Sequence, residues 1–438
     1  MENCKKETKR DKGNKFPWGY YLLFAMLSKA GRWYFNGKSV ETEAFKKAKK
    51  EGPMLVMCNH ASALDFLFFV PPFGLKKTTF VVAENMLYST PFLAKIIRKA
   101  DAITKKQYIA DLSCVRKIKK SMDRGISVAL CPEGQVASSG KRGIVPVANG
   151  KLMKFLGYPV AICHTDGGGL SRPKWGYSAR RGKVITHCDI LYTPEEIKEK
   201  SAEELYEGLV KALDFNEHKY QVENGISFKG KRRAEGLERI LYLCPKCGAE
   251  YKNVTNGNFI ECSACGNKVE WTEKGKLIPV GDSVAPLRVD LWYDLERERV
   301  SEKVKDENFT LKHKVALFIE KPEVYNYRFI TMGEATLDKE NITFKSNIDE
   351  RPKKIITEYG IGKFDVDFDY SEGVEPVEDE FKDLTFKISN NESIANLPGE
   401  SLELYDAKHS YRIMFLEEKA STEYALAIEE LYKLRKGV

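Results

Sequence analysis

The chain lacks any apolar run of the roughly 18 residues that a helix needs to cross a bilayer. No apolar stretch ends in the small-residue cleavage site of a secretory signal. A disulfide framework is also missing. Of ten cysteines, four form two CxxC pairs and six lie scattered, the usage expected of a reduced intracellular protein. The composition is not that of disorder, with 42% hydrophobic residues. A net charge of +8 over 438 residues is modest, and it favours anionic partners without choosing between lipid headgroups and nucleic acid. The length implies about three domains. The expected place is the cytosol or the membrane face that borders it.

What is present begins with a basic arm of Lys5, Lys6, Lys9, Arg10, Lys12 and Lys15. The segment that follows, 16–35, is too short to span a bilayer, and Trp18, Tyr20, Tyr21, Trp33 and Tyr34 flank its apolar centre. Aromatics at both ends with cations outside them fit a helix lying among lipid headgroups, which sets 1–37 apart as an arm and interfacial helix. The plainer alternative is an amphipathic helix packed on the protein's own core.

Between about 50 and 190, strand-like apolar runs (54–57, 79–82, 126–130, 159–163, 183–192) alternate with helical patterns (90–99, 108–123, 149–156). Such alternation predicts an α/β domain over 38–222, a mixed and largely parallel sheet with flanking helices. Chemistry in such sheets collects beyond the strand ends. Just past the first strand stand His60 and Asp65, in Asn59-His60-Ala-Ser-Ala-Leu-Asp65. A carboxylate within one helical turn of an imidazole can hold one ring nitrogen and leave the other to take a proton from a hydroxyl. Taken alone, the spacing also fits a structural histidine.

About seventy residues on comes Cys131-Pro132-Glu133-Gly134. His-x4-Asp followed by Pro-Glu-Gly resembles the glycerolipid acyltransferases, as in bacterial 1-acylglycerol-3-phosphate acyltransferases, over roughly residues 40–220. Looser support comes from the basic end of 101–106 and the Tyr158-Pro159-Val160 strand. The resemblance implies that His60 deprotonates a glycerol hydroxyl while Asp65 steadies the imidazolium. The donor would be acyl-CoA or an acylated carrier protein, and the acceptor a lysophospholipid, most simply 1-acylglycerol-3-phosphate. It places Asn59, Glu133 and Gly134 at the acceptor. Gly134 would let backbone N–H groups approach an anion, and Glu133, repelled by phosphate, would instead hold a loop or a cation. Where the family pattern continues Thr-Arg-Ser, this chain has Gln135-Val136-Ala137. The phosphate-pairing arginine is therefore absent there. Lys105 or Lys106, and Lys141 with Arg142, are the cations available to replace it.

Residues 223–240 read as a polar, basic linker. Cys244-Pro-Lys-Cys247-Gly248 and Cys262-Ser-Ala-Cys265-Gly266 follow. Two such knuckles predict a Cys4 zinc ribbon over 241–280, a closed and therefore structural site. It lacks a basic surface interleaved with aromatics, so nucleic acid is not an expected partner. Residues 281–438 read as a mainly β domain. A charged helix at 290–304 leads to strands at 324–330, 334–337 and 342–344. The alternation of Phe364, Val366, Phe368 and Tyr370 with aspartates is a strand with an acidic face rather than a calcium loop, because glycine is missing at position six. A strand at 411–416 and a helix from Ser421 or Thr422 close the domain, in a topology similar to pleckstrin-homology or GRAM barrels.

Overall fold

The structure is a computed structural model, and it describes residues 18–62, 64–73, 78–88, 91–321, 326–346, 354–359, 362–367, 381–406, 408–416 and 418–437. The basic arm at 5–15 lies outside them. Seven strands form the first sheet: β1 (Gly37–Glu41), β2 (Leu55–Cys58), β3 (Thr78–Ala83), β4 (Ile103–Lys105), β5 (Ser127–Leu130), β6 (Val160–Asp166) and β7 (Val184–Tyr192). Their order is β1-β7-β6-β2-β5-β3-β4, and every neighbouring pair is parallel except β6 with β7. The central strand β2 is buried at all four positions, which is why its sequence is an unbroken apolar run rather than an alternating one.

Among the described residues, ten α-helices accompany this sheet: α1 (Trp18–Tyr34), α2 (Glu43–Glu51), α3 (Asp65–Phe73), α4 (Pro91–Lys99), α5 (Leu112–Asp123), α6 (Ala148–Leu156), α7 (Gly168–Ser171), α8 (Pro194–Glu199), α9 (Ala202–Ala212) and α10 (Glu217–Glu223). Their starts are written locally. Thr193 with Glu196 and Ser201 with Glu204 form capping boxes at α8 and α9. The helix expected over 108–123 begins only at Leu112, because Tyr108 has φ +56° and the Asp111 side chain caps the Cys114 N–H at 2.9 Å.

The Cys-rich segment is a four-stranded antiparallel sheet of β8 (Asn253–Asn256), β9 (Phe259–Cys262), β10 (Lys268–Trp271) and β11 (Leu277–Pro279). After α11 (Val289–Lys303) come β12 (Leu311–Lys321), β13 (Asn326–Leu337), β14 (Asn341–Ser346), a separate hairpin of β15 (Lys354–Tyr359) and β16 (Gly362–Asp367), then β17 (Asp383–Lys387), β18 (Asn396–Leu397), β19 (Ser401–Tyr405), β20 (Ser410–Phe415) and α12 (Ser421–Lys436). The second large sheet is antiparallel in the order β17-β14-β13-β12-β20-β19-β18. Tyr424, Ile428 and Leu431 of α12 are buried against it, and the Tyr424 hydroxyl lies 3.0 Å from the Leu311 and Ala335 carbonyls.

Two expectations are corrected, and a third falls only partly on the described residues. The two strands read at 324–330 and 334–337 are one, β13. Gly333 stays in the ladder, and a Cβ there would meet the Lys345 carbonyl oxygen at 2.1 Å, so the glycine marks a close approach and not a break. The acidic alternation falls on β16 only as far as Asp367; Phe368, Asp369 and Tyr370 lie outside the described residues. Residues 223–240 are not a linker. Ala234, Leu237 and Ile240 are fully buried and share one apolar cluster with Trp271 of β10, Trp292 of α11 and Tyr424 of α12. Charge made the segment look solvated, whereas Arg233, Glu238 and Arg239 are themselves buried within paired networks. The Cys-rich segment and the C-terminal sheet therefore form one body.

Candidate active site

β2 ends at Cys58 and hands the chain to His60, while Asp65 opens α3. His60 Nδ1 lies 2.8 Å from Asp65 Oδ2. The Asp65 carboxylate also accepts the Ser62 N–H, at 3.0 and 3.1 Å. Burial pushes its pKa up, against the pull of the His60 hydrogen bond. With Nδ1 engaged, Nε2 is the nitrogen left for a proton. His60 lines a small cavity together with Ala61, Ala137, Gly140, Arg142, Phe215 and Glu217.

Glu133 follows β5 and is buried, which pushes its pKa up. Its two oxygens accept the backbone N–H of His60 at 2.9 Å and of Gly143 at 2.6 Å. One side chain thus fixes the loop after β2 to the loop at 140–143. The Tyr108 hydroxyl donates to the Glu133 carbonyl at 2.9 Å and steadies the turn from behind. Gly134 has φ +76°, a conformation suited to glycine.

Several expected acceptor contacts sit elsewhere. The Gly134 N–H is spent on the Cys131 carbonyl at 3.0 Å and does not point to an anion. The Asn59 amide bonds the Thr165 backbone in both directions, at 2.8 and 3.0 Å, and so joins β2 to β6. Lys105 Nζ donates to the carbonyls of Lys106 and Ile109. Lys106 stands over the Tyr405 ring at 5.7 Å. Lys141 lines the cavity, but its ammonium pairs with Asp294 of α11. Arg142 also lines it, and its Nε is buried without a hydrogen-bond partner. Of the two cations that line the cavity, Arg142 is the more loosely paired, its Nε 3.8 Å from Asp214, and it fits the role of an acceptor cation better than Lys141.

Sequence reasoning missed Glu217. Its carboxyl, at the start of α10, accepts the N–H groups of Gly169 and Leu170 at 3.1 and 2.8 Å and faces the same cavity as His60. Burial, with Asp65 and Asp166 nearby, pushes its pKa up to about 8. No local motif marks it; only the fold brings 217 beside 60. Four of the scattered cysteines were also unreadable. Cys163 lies opposite both Cys58 and Cys188, and Cys131 follows Leu130, the partner of Met57. They form a row of thiols across the sheet beneath the loops that carry His60 and Glu133. Burial raises the Cys58 pKa to about 11, as expected of unreactive packing thiols.

In the ribbon, the sulfurs of Cys244, Cys247, Cys262 and Cys265 all lie within 4.8 Å of one another. Cys244 and Cys265 are 3.7 Å apart, Cys247 and Cys262 3.9 Å. Sulfurs at ~2.3 Å from a tetrahedral ion stand about 3.8 Å apart, so the donor set fits a thiolate-bound metal and leaves no open position. Gly248 and Gly266 both take φ +72° to turn the two knuckles.

Residues 39–165 match the family model Acyltransferase. No curated protein sequence matches the chain. Among solved structures, the crystal structure of the 1-acyl-sn-glycerophosphate acyltransferase PlsC from Thermotoga maritima is similar at 19% identity over 47% of this chain and 79% of that one, with a TM-score of 0.37. The matched segment runs from β1 into β6 and holds His60, Asp65, Glu133 and Arg142, so the resemblance to the acyltransferase family covers the residues around the cavity.

Proposed function

We propose that the chain moves a fatty acyl group from acyl-CoA or acyl carrier protein to the free hydroxyl of a lysophospholipid, with 1-acylglycerol-3-phosphate as the first acceptor to try. The observation that carries this reading is the His60–Asp65 pair beside a cavity lined by a cation, Arg142. His60 Nε2 takes the hydroxyl proton as the acceptor oxygen adds to the thioester carbonyl. The C–S bond then breaks, and the leaving thiolate recovers that proton from the imidazolium. Asp65 stabilises the imidazolium meanwhile. A thioester is already activated, so no acyl-enzyme is required.

The acceptor's anionic group is assigned to Arg142 in place of the family's arginine. The ribbon cysteines are assigned to one structural zinc. The C-terminal topology, a meander of four strands and another of three closed by α12, supports a pleckstrin-homology-like body. Leu22, Leu23, Met26 and Leu27 of α1 are exposed, which supports residence on a membrane surface, assigned here to the cytoplasmic face.

The test is transfer of labelled acyl groups from both donors to a panel of lysolipids. His60→Ala should lower the rate by about 10²–10⁴-fold. Transfer that survives the substitution rules the mechanism out; no transfer by the intact chain with any acceptor leaves a non-catalytic lipid-binding scaffold as the better reading.

A further inference from the structure

We propose that the C-terminal body is part of the acyl-transfer site. Asp294 and Asn396 act as positioning residues that hold the two loops walling the His60 cavity. The proposal rests on the acyl-transfer reading above.

The two loops are 132–136, after β5, and 140–143. Glu133 ties them to each other and to the His60 backbone. Each is also held from outside the acyltransferase domain. Gln135 Nε2 donates to the Ile394 carbonyl at 3.1 Å, and Gln135 Oε1 accepts the Asn396 N–H at 3.2 Å. Lys174 Nζ bridges Gln135 Oε1 and the Asn396 side-chain oxygen at 2.9 and 3.2 Å. On the other loop, Lys141 Nζ meets the Asp294 carboxylate, 2.7 Å from Oδ1. Beside it, Asn216 Nδ2 donates to Asp290 at 2.8 Å, and Arg288 holds that buried carboxylate in turn.

Gln135 thus occupies, directly after Pro-Glu-Gly, a position that turns away from the cavity toward another part of the chain. Its amide uses both donor and acceptor capacity on that seam, which a short hydroxyl side chain could not span. The Lys141–Asp294 pair is half-exposed, so its stabilising effect is small. Its geometric effect is larger, because it draws one cation of the cavity wall onto Asp294 and leaves Arg142 facing the space beside His60. Small displacements of such a wall cost rate steeply.

The experiment uses the full chain with Asp294→Ala, Asp294→Glu, Gln135→Ala, which removes the side chain that meets the Ile394 and Asn396 backbone, Lys141→Met and the Lys141→Met/Asp294→Ala double variant. Acceptor and donor kinetics are measured, and amide hydrogen exchange is followed over 132–143. Asp294→Ala and Gln135→Ala should each raise the acceptor KM about tenfold, leave the donor KM within about twofold and speed exchange in both loops. Asp294→Glu should restore most of the loss, and the double variant should be no worse than Asp294→Ala. Unchanged acceptor kinetics in the active protein overturn the proposal, even if exchange accelerates, because the seam would then serve stability alone. Losses that add in the double variant overturn it too. An inactive wild-type chain would instead remove the acyl-transfer reading, and the proposal with it.

Discussion

Glu133 and Glu217 are buried acids that the fold treats differently. Glu133 receives backbone N–H groups from two loops that must stay together, and its position after β5 is written in the sequence. Glu217 reaches the same cavity from the far end of the domain. Its pKa of about 8, against 4.5 for an ordinary glutamate, has a consequence for stability. Between those two values the unfolded chain ionises this carboxyl while the folded chain keeps it protonated. The unfolded state therefore binds fewer protons, and stability falls as pH rises through that window, by about 1.4 kcal/mol per unit from this group alone. Above about 8 the slope vanishes. Denaturant unfolding of the wild type and Glu217→Gln at pH 5, 6, 7 and 8 checks this. The variant should start less stable, since its amide opposes one of the two N–H donors, and should lose less stability with rising pH. Parallel pH curves would show that Glu217 is ionised in the fold.

At the scale of elements, α1 divides into two faces. Ser28 is buried and donates to the Leu67 carbonyl, and a Cβ on Gly31 would meet Leu67 Cδ1 at 2.8 Å, so this face packs on α3. Leu22, Leu23, Met26, Leu27, Trp33 and Tyr34 are exposed along the other, at helical spacing. The reading of a helix packed on the protein's own core holds for the first face, and the interfacial reading is a proposal for the second. An apolar stripe of this length facing water is costly unless a membrane or partner covers it. Leu22→Glu/Met26→Glu changes only the outer face and should leave stability within about 0.5 kcal/mol. Flotation with anionic vesicles should fall about tenfold or more, because two apolar side chains worth ~1.5 kcal/mol or more each leave the interface. Unchanged flotation would remove α1 as the anchor.

The same contrast explains what was legible. β2 and β5 were readable because strands buried on both sides are unbroken apolar runs. The start of α5 was less so, since Tyr108 takes a left-handed conformation to place its hydroxyl behind Glu133, a demand of the site and not of the helix. His60 and Asp65 are local to each other in sequence. For Asn59, Lys105 and Lys106, sequence shows a side chain's chemistry but not the backbone group or ring that it meets in the fold.

For the whole molecule, the decisive fact is that the ribbon has no core of its own. Ile260, Val269 and Trp271 of β9 and β10 pack into the cluster that also holds Trp292 and Tyr424, while the four thiols sit at its outer end. The metal would hold the knuckles, the knuckles hold β9 against β10, and those strands cover one side of the C-terminal core. Ion removal should therefore be felt well beyond residues 241–280. Metal analysis should find about one zinc per chain. Chelation, or Cys262→Ser, should cost several kcal/mol, lowering the melting temperature by about 10 °C for a body of this size. Because Gln135 and Lys141 are tied to that body, acyl transfer should decline with it, while hydrogen exchange in β2 and β5 stays slow. Loss of the metal with an unchanged melting temperature would mean that the shared apolar core holds the ribbon unaided.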